Sequence, residues 1–286
     1  MRAWRRPPRS DGTHPVFPLR WRLRDAHLLA DTPTSRVWRV RRGDGTAVVK
    51  ALKPRAHDPL ATRAFARWQR GRGLVRLYAA QGSLQLLEDA GDTSLREALD
   101  RDGDAAASEI AAGVLVRLAS ASSPSRRAPA ALTPLYRHFA SLFARARGAA
   151  PDDPYREAAR VAERLLRNAR DERPLHGDLH HDNILHGPRG WLAIDANGLY
   201  GDPAFDAANL LYNPLDRDDL CLDPDVLHRR AEAYARALEL PVPQVLGYAH
   251  VYGCLSAAWH AEDGNTADET RELRVAAAIL SLARAL

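Results

Sequence analysis

The stretch Leu175-His176-Gly177-Asp178-Leu179-His180-His181-Asp182-Asn183-Ile184-Leu185 decides the fold predicted for this chain. Within it, four residues separate Asp178 from Asn183, and the pattern is that of a loop following a helix. Residues 184–194 then form a β-type pair that delivers Asp195, twelve residues after Asn183. The sequence therefore places a carboxylate, a side-chain amide and a second carboxylate around one loop and one short hairpin.

The spacing of these groups suits phosphoryl transfer. An Asp and an Asn at this separation also occur in the H-R-D-x-x-x-x-N catalytic loop of protein kinases. Asp178 can accept or orient the proton of an acceptor hydroxyl, while Asn183 and Asp195 offer oxygen ligands to Mg²⁺. We therefore predict an ATP- and magnesium-dependent small-molecule kinase, with Asp178 as the catalytic residue and Asn183 and Asp195 as the metal ligands.

Each of these residues also has a plainer interpretation. A loop aspartate such as Asp178 often caps a turn, and His180 and His181 could be surface residues or metal ligands. Adjacent side chains point apart in most backbone conformations, which disfavours a histidine-metal site. Only the combination of Asp178 with Asn183 and Asp195 favours the catalytic interpretation.

A phosphate-binding lysine is also identifiable, because only Lys50 and Lys53 among the 41 basic residues are lysines. Lys50 ends the β-type run Ala47–Lys50, which resembles the V-A-I-K strand of kinases. A compact ammonium fits a crowded phosphate site. Lys53, which precedes a proline, is interpreted as a surface turn residue.

Three further residues are predicted to bind the nucleotide. Thr34 and Ser35 lie in the loop from Asp31 to Ser35, where a phosphate-covering hairpin belongs, although the loop lacks its glycine pattern. Glu88 ends the run Leu84–Glu88, which fits the connection between two lobes whose backbone would read adenine.

The composition indicates a folded protein of two parts. An apolar fraction of 45% with 27% charged residues is ordinary for a globular chain of 286 residues. We predict an α+β, protein-kinase-like two-lobe fold: a flexible basic arm (1–15), a small β-rich nucleotide-binding lobe (16–90) and a larger helical catalytic and substrate-binding lobe (91–286). No run approaches the roughly 18 apolar residues of a membrane helix, so we predict a cytoplasmic protein. We also predict a monomer or a weak dimer. Neither Cys221 nor Cys254 has a neighbour for a disulfide or zinc site.

The charge distribution points to a cationic substrate. Residues 1–80 contain 19 Lys or Arg and five Asp or Glu, whereas the remainder contains 22 basic and 31 acidic residues. Residues 195–225 alone contain eight Asp and one Arg. Such a pocket would attract a cation and repel nucleic acid. We predict four substrate-binding acids: Asp202, Asp216, Glu262 and Asp263.

Two acids in this region have structural alternatives. Asp206, in the segment Gly201 to Asp206, could hold the catalytic loop from behind. Asp223 or Asp225, which flank Pro224, is better explained as a helix cap.

The sequence also predicts helix starts at Thr133-Pro134 and Asp153-Pro154, where a capping side chain precedes a proline at the first helical position. Two further helices are predicted near residues 224–238 and 242–261.

At these residues the sequence resembles the aminoglycoside phosphotransferase family, and within it the streptomycin 6-phosphotransferases. The resemblance runs from about residue 16 to near the end, and five stretches carry it: Pro15–Pro18, Trp68–Leu77, Leu175–Leu185, Asp216–Pro224 and Tyr252–Trp259. It implies ATP-dependent phosphorylation of the 6-hydroxyl of streptomycin, with antibiotic resistance as the result. The two guanidinium groups of that substrate suit an acidic pocket.

One departure from the kinase pattern concerns the partner of Lys50. Kinases pair this lysine with a helix glutamate, but the segment from Arg55 to Trp68 has only Asp58 as an acid, and Arg63 stands where we expect the glutamate. Either Asp58 serves, or Lys50 is held by phosphate and Asp195 alone, or the helix is arranged differently.

Three other functions compete with the streptomycin kinase. The first is a kinase of another amino or guanidino alcohol, or of hydroxyurea. The second is a non-catalytic kinase-like binding protein, which the absent glutamate favours and the intact catalytic set opposes. The third is a basic nucleic-acid-binding domain, which the acidic second part and the lack of a recognisable motif oppose. We predict neither nucleic acid nor membrane as a partner.

Overall fold

The computed structural model describes residues 16–54, 58–121 and 129–286. These residues form a strand-rich first part and a mainly helical second part, in agreement with the predicted two-lobe α+β fold. The predicted flexible arm, residues 1–15, lies outside the described residues. A lobe boundary near residue 90 stays a prediction, and the change from strand to helix between Glu88 and Thr93 is consistent with it.

Among the described residues, the first lobe is an antiparallel sheet with one α-helix. Its strands have the order β1-β2-β3-β5-β4. They are β1 (Leu23–Asp31), β2 (Ser35–Arg42), β3 (Gly45–Leu52), β4 (Leu77–Gln81) and β5 (Leu84–Glu88), and helix α1 (Pro59–Gln69) lies between β3 and β4. Asp58 starts α1 by accepting the N–H of Leu60 at 2.8 Å, with proline at the first helical position.

Strand β3 faces two environments because side chains alternate along a strand. Ala47 and Val49 are fully buried in a small core with Trp21, Val40 and Leu86. The intervening Val48 and Lys50 therefore face the opposite side, where they line a cavity. This alternation directs the Lys50 ammonium toward the second lobe.

The second lobe contains ten helices and six short strands among the residues described. The helices are α2 (Leu95–Asp102), α3 (Asp104–Ala119), α4 (Leu135–His138), α5 (Ala140–Arg147), α6 (Pro154–Asn168), α7 (Ala204–Ala208), α8 (Asp218–Cys221), α9 (Pro224–Leu238), α10 (Val242–Glu262) and α11 (Thr266–Ala285). The strands are β6 (Thr93–Ser94), β7 (Thr133–Pro134), β8 (Arg173–Leu175), β9 (Ile184–Gly187), β10 (Gly190–Ala193) and β11 (Leu199–Gly201). They form the small sheets β10-β9-β6 and β7-β11-β8.

Helix α10 is the centre of this lobe. It is apolar around most of its circumference, as expected for a buried helix, and it packs against α5, α6, α7, α9 and α11. The helices predicted at residues 224–238 and 242–261 are thus confirmed within one residue. The predicted caps Asp153 and Asp223 are also confirmed, since each carboxylate accepts N–H groups at the start of its helix.

The helix start predicted at Thr133-Pro134 is wrong. These two residues form β7 and pair in parallel with Leu199 and Tyr200 of β11. The helix begins one residue later, at Leu135, without a side-chain cap. Pairing with a distant strand satisfies the backbone here in place of the local cap that the sequence suggested.

Main-chain hydrogen bonds join the two lobes next to the hairpin β9–β10. The N–H of Ala193 donates to Gly73 at 2.8 Å, and the N–H of Val75 donates to Ala193 at 3.1 Å. The strand that precedes Asp195 is therefore fixed to the backbone of the first lobe. Among the described residues, no helix is both long and apolar enough to span a bilayer.

We expect the buried His250 of α10 to make the fold sensitive to acid. Its Nδ1 contacts the carbonyl of Ala276 on α11 at 3.1 Å, and burial lowers the pKa of His250. Its stabilising contribution is therefore complete above about pH 6.5, the ordinary pKa of an unfolded histidine, and is lost as the pH falls below it.

Urea unfolding at pH 7.5 and pH 5 tests this expectation. His250→Phe, which cannot take up a proton, should lose less unfolding free energy over that interval than the unchanged chain. The control His27→Phe replaces an exposed histidine and should follow the unchanged chain. Equal losses in all three proteins would contradict the prediction.

Candidate functional site

The predicted catalytic loop, residues 176–183, is held from behind by Asp206 of α7. One carboxylate oxygen accepts the N–H of His176 at 2.9 Å, and the other accepts the N–H of Gly177 at 2.7 Å. Asp206 is buried, and burial raises the pKa of its carboxyl to about 6 in spite of the two donors. The sequence-based alternative for Asp206, a loop-holding role, is confirmed.

Gly177 is required by the shape of this loop. Its φ of +81° lies in the left-handed region, and a Cβ would come within 2.5 Å of Leu199. Gly198, in the segment after Asp195, has a similar constraint, because a Cβ there would meet the backbone oxygen of Ala61 at 2.4 Å. These two glycines let the catalytic loop and the segment after Asp195 approach β11 and α1 closely.

His176 links the catalytic loop to the strand that delivers Asp195. Its Nδ1 accepts the N–H of Asp178 at 3.2 Å, so the neutral ring carries its proton on Nε2 and donates to the carbonyl of Ile194 at 2.8 Å. Burial lowers the pKa of His176 to about 4. The ring is therefore neutral at physiological pH and acts as a fixed spacer between the two halves of the site.

The carboxylate of Asp178 is oriented by two amides. The Nδ2 of Asn209 donates to its Oδ1 at 3.0 Å, and the Nδ2 of Asn183 lies 3.4 Å from its Oδ2. Asn183 also donates to the main-chain carbonyl of Asp178 at 2.8 Å. Because its nitrogen faces Asp178, the oxygen of the Asn183 amide is directed away from it. The structure thus brings the predicted catalytic residue and one predicted metal ligand together.

Asp195, the other predicted ligand, pairs with Lys50 across the cleft. Its backbone has a φ of +64°, an uncommon conformation for a residue other than glycine. Burial alone would raise the pKa of Asp195, but the charge of Lys50 and its hydrogen bond outweigh burial and lower it. The carboxylate is therefore ionised, as metal binding requires.

The question of the Lys50 partner is answered by this pair. The carboxylate of Asp58 caps α1, and Arg63 donates to the main-chain carbonyl of Gly82 in the turn between β4 and β5. Helix α1 consequently presents no acid to Lys50, and Asp195 is the carboxylate that holds it. Of the three alternatives drawn from the sequence, the structure shows the Asp195 contact named in the second.

A cavity of about 390 Å³ opens between the lobes beside this pair. Its lining includes Val48, Lys50, Leu87, Ala90, Leu185 and Asp195. Arg39 closes one side of it by donating to Asp89 at 2.8 Å and to Asp92 at 2.7 Å. The cavity therefore has apolar walls, a charged inner end at Lys50 and the interlobe connection along its edge.

The other predicted nucleotide ligands, Thr34, Ser35 and Glu88, stay predictions, and the structure shows the surroundings of each. The carboxylate of Glu88 is paired with Arg189 at 2.6 Å, so only its main chain remains for a nucleotide. Ser35 is buried, and Thr34 and Ser35 are not among the residues that line the cavity. Thr32 closes the turn between β1 and β2, because its hydroxyl accepts the N–H of Ser35 at 3.0 Å. Lys53, interpreted as a surface residue, holds the same hairpin through Asp31 and Thr32.

Several carboxylates of the acidic stretch are bonded to other parts of the protein. Asp202 is only 5% exposed, and its two oxygens accept from Ala204 at 3.0 Å and from Gln244 at 2.7 Å. Asp216 is ion-paired with Arg96, and Asp218 is paired with Arg271 at 2.8 Å. Both buried oxygens of Asp202 therefore already accept hydrogen bonds, which disfavours the predicted role of Asp202 as a substrate ligand.

Glu262 and Asp263 lie exposed at the end of α10. Their role in substrate binding, like that of Asp216, stays a prediction. Asn209 is the functional residue that sequence reasoning missed. The segment Asp206–Asn209 contained a usable signal, since a turn of helix separates the loop-holding Asp206 from Asn209 and places both beside the catalytic loop.

The assembled groups have the chemistry of phosphoryl transfer. Asp178 can orient an acceptor hydroxyl, the ammonium of Lys50 can neutralise phosphate, and Asn183 and Asp195 supply two oxygen donors. Among the described residues no cluster of three His, Cys, Asp or Glu could hold a metal by itself. An amide and a carboxylate, with phosphate oxygens completing the shell, fit the way Mg²⁺ binds in such sites.

Comparison with known proteins agrees with this chemistry. Residues 20–264 match the sequence family described as aminoglycoside/hydroxyurea antibiotic resistance kinase. The streptomycin 3″-kinase of Klebsiella pneumoniae is 37% identical over 252 residues, covering 86% of this chain and 91% of that protein. The streptomycin 6-kinase of Streptomyces glaucescens is 34% identical over 274 residues, covering 91% and 86%.

Solved structures share the fold. An aminoglycoside phosphotransferase, crystallised as a thermostable mutant in ternary complex with AMP-PNP and hygromycin B, superimposes with a TM-score of 0.63. The match covers 91% of this chain and 94% of that one at 16% identity. The kinase-like fold predicted from the sequence is therefore confirmed.

We expect Asp206→Ala to destabilise the protein strongly. The change leaves two buried N–H groups without an acceptor, which should cost about 2–4 kcal/mol of unfolding free energy. Asp223→Ala is the matched control, because that carboxylate also accepts two N–H groups but lies at an exposed helix start, and its loss should cost about 1 kcal/mol. Chemical denaturation measures both, and equal costs would contradict the prediction.

Proposed function

This chain belongs to the aminoglycoside/hydroxyurea antibiotic resistance kinase family, and we propose that it transfers the γ-phosphoryl group of ATP to a hydroxyl of streptomycin. The observation that carries the proposal is the presence of two adjacent pairs: Lys50 with Asp195 at the cavity between the lobes, and Asp178 with Asn183 in the loop 176–183. Each group has a role in phosphoryl transfer, and the two halves of the set are held together by His176.

The nucleotide would occupy the cavity between the lobes. Val48, Leu87 and Leu185 offer apolar contacts to a purine ring, and the backbone from Glu88 to Gly91 borders the same space. Lys50 lies three residues along β3 from Ala47, the residue that pairs with Glu88 of this connection, and would bind the phosphates. Magnesium, when bound with ATP, would supply positive charge to the phosphates, and Asn183 and Asp195 are the residues that would hold it.

The chain itself contributes orientation and charge to the reaction. Asp178 would accept a hydrogen bond from the acceptor hydroxyl and align its oxygen with the phosphorus. Asn209 and Asn183 restrict the rotation of that carboxylate. Lys50 would offset the charge that develops on the transferred group. Positioning of this kind accounts for most of the catalysis expected in such a site.

Streptomycin is proposed as the acceptor because relatives of both streptomycin-kinase types align over most of the chain. We propose the 6-hydroxyl of its streptidine ring, on the resemblance of Asp216–Pro224 and Tyr252–Trp259 to that subfamily. Asp216, Glu262 and Asp263 remain proposed contacts for its guanidinium groups, and the added phosphate would inactivate the drug. Hydroxyurea is the second candidate, because the family description names it.

The proposed acceptor can be identified by mass spectrometry of the reaction products. The protein with ATP and Mg²⁺ should add one phosphate to streptomycin, and Asp178→Ala should lower the rate by at least about 100-fold because the orienting carboxylate is lost. Phosphorus–proton NMR of the product would place the phosphate on the 6-hydroxyl. A 3″ product would correct the position alone, a hydroxyurea product would replace the acceptor, and no product from any of these would refute the proposal.

The two lysines of the chain provide a matched test of nucleotide binding. Lys50→Met removes the phosphate contact and should weaken ATP binding by about 10-fold or more. Lys53→Met removes an ammonium three residues away, which contacts Asp31 and Thr32 of the β1–β2 hairpin. This change should leave the dissociation constant for ATP nearly unchanged. Isothermal titration calorimetry measures both. Equal weakening by the two variants would show that only general charge is involved.

A further inference from the structure

Two buried side-chain amides lie in series behind Asp178. They belong to Asn209 and Asn213, which begin and follow the 3₁₀ turn Asn209–Tyr212, and each residue is only 5% exposed. The Nδ2 of Asn209 donates to Asp178 at 3.0 Å, and the Oδ1 of Asn209 accepts the Nδ2 of Asn213 at 2.7 Å. A single chain of hydrogen bonds therefore runs from Asn213 to the catalytic carboxylate.

The direction of this chain depends on Asn213. A side-chain amide can present either its nitrogen or its oxygen to a neighbour, and only the nitrogen donates to a carboxylate. Because Asn213 presents a donor to Asn209, the oxygen of Asn209 faces Asn213 and its nitrogen faces Asp178. The reverse orientation would place an amide oxygen against a carboxylate oxygen, where neither can donate.

Asn213 is itself fixed by the buried guanidinium of Arg230 on α9. Its Nη1 donates to the carbonyls of Asn213 at 2.9 Å and Leu210 at 3.2 Å. Its Nε donates to Asp104 of α3 at 2.8 Å, which neutralises the buried charge. Asn213 also donates to the carbonyl of Asn209 at 3.0 Å, which closes the turn. The turn that carries both amides is thereby tied to two helices of the lobe core.

We propose that Asn213, anchored by Arg230, is a positioning residue that sets the direction of the Asn209 amide and through it the orientation of the Asp178 carboxylate. This inference rests on the proposed kinase function. It assigns to the segment Asn209–Asn213 a role in phosphoryl transfer itself, beyond the packing of the lobe. The effect should be on the rate of transfer and should leave nucleotide binding unchanged, since Lys50 and the cavity walls are untouched.

A double-mutant cycle tests the proposal. Asn209→Ala and Asn213→Ala should each lower kcat by about 10-fold, the value of one hydrogen bond to a charged group. If Asn213 acts through Asn209, the double variant should also lose about 10-fold, whereas independent effects would multiply to about 100-fold. Asn213→Asp, which keeps the size but loses the donor, should match Asn213→Ala. KM for ATP should stay within about twofold in every variant.

Gln69→Ala is the matched control, because it removes a different buried amide, which donates to the carbonyl of Leu118 at 3.1 Å. It should lower the thermal stability without lowering kcat. Three outcomes would overturn the proposal. They are effects that multiply in the cycle, an unchanged kcat in Asn213→Ala, and a loss of kcat in Gln69→Ala equal to that in Asn213→Ala.

An NMR measurement decides the inference even if the wild-type protein phosphorylates none of the acceptors, an outcome that refutes the proposed function alone. The side-chain amide protons of Asn209 should exchange slowly with solvent in the wild-type protein and rapidly in Asn213→Ala. Slow exchange in both proteins would show that Asn213 does not hold the Asn209 amide.

Discussion

The contact of Asp206 with two consecutive N–H groups is the interaction on which the site depends. A buried carboxylate is costly unless it is hydrogen-bonded, and here the N–H groups of His176 and Gly177 meet that requirement. They can do so only because Gly177 adopts a left-handed conformation. The same turn directs the Nδ1 of His176 to the backbone of Asp178 and its Nε2 to Ile194. One buried acid thereby fixes both the loop that carries Asp178 and the strand that leads to Asp195.

The cleft around this site is closed by ion pairs at its edges and by apolar side chains inside. Arg39 joins β2 to the interlobe connection through Asp89 and Asp92, and Arg189 joins the hairpin β9–β10 to the end of β5 through Glu88. Both arginines are less than one-third exposed, so solvent weakens these pairs less than it weakens pairs on an open surface. The two lobes are therefore connected by charged contacts on either side of a cavity whose walls are suited to a purine.

The sequence revealed those parts of the site whose chemistry is local. Four groups are identifiable because the predicted role of each depends on a short segment. They are Lys50 on a strand, and Asp178, Asn183 and Asp195 at fixed spacing. The acidic stretch is harder to interpret for the opposite reason. Whether Asp216 or Asp218 is free for a ligand depends on Arg96 and Arg271, which are distant in the chain, and composition does not indicate such pairs. The helix start predicted at Thr133 is wrong for the same reason, since Thr133 pairs with the remote strand β11. The position of Asn209 depends on a helical turn that the pattern of apolar residues does not indicate.

Helix α1 has a consequence for how such a catalyst can be controlled. In kinases that pair the strand lysine with a helix glutamate, moving the helix breaks the pair and turns the enzyme off. Here the lysine pairs with Asp195, and Arg63 attaches α1 to the turn after β4. Displacing this helix would not release the lysine from its carboxylate. A shift of α1 would therefore leave the Lys50–Asp195 pair intact, in contrast to the helix-driven control of those kinases.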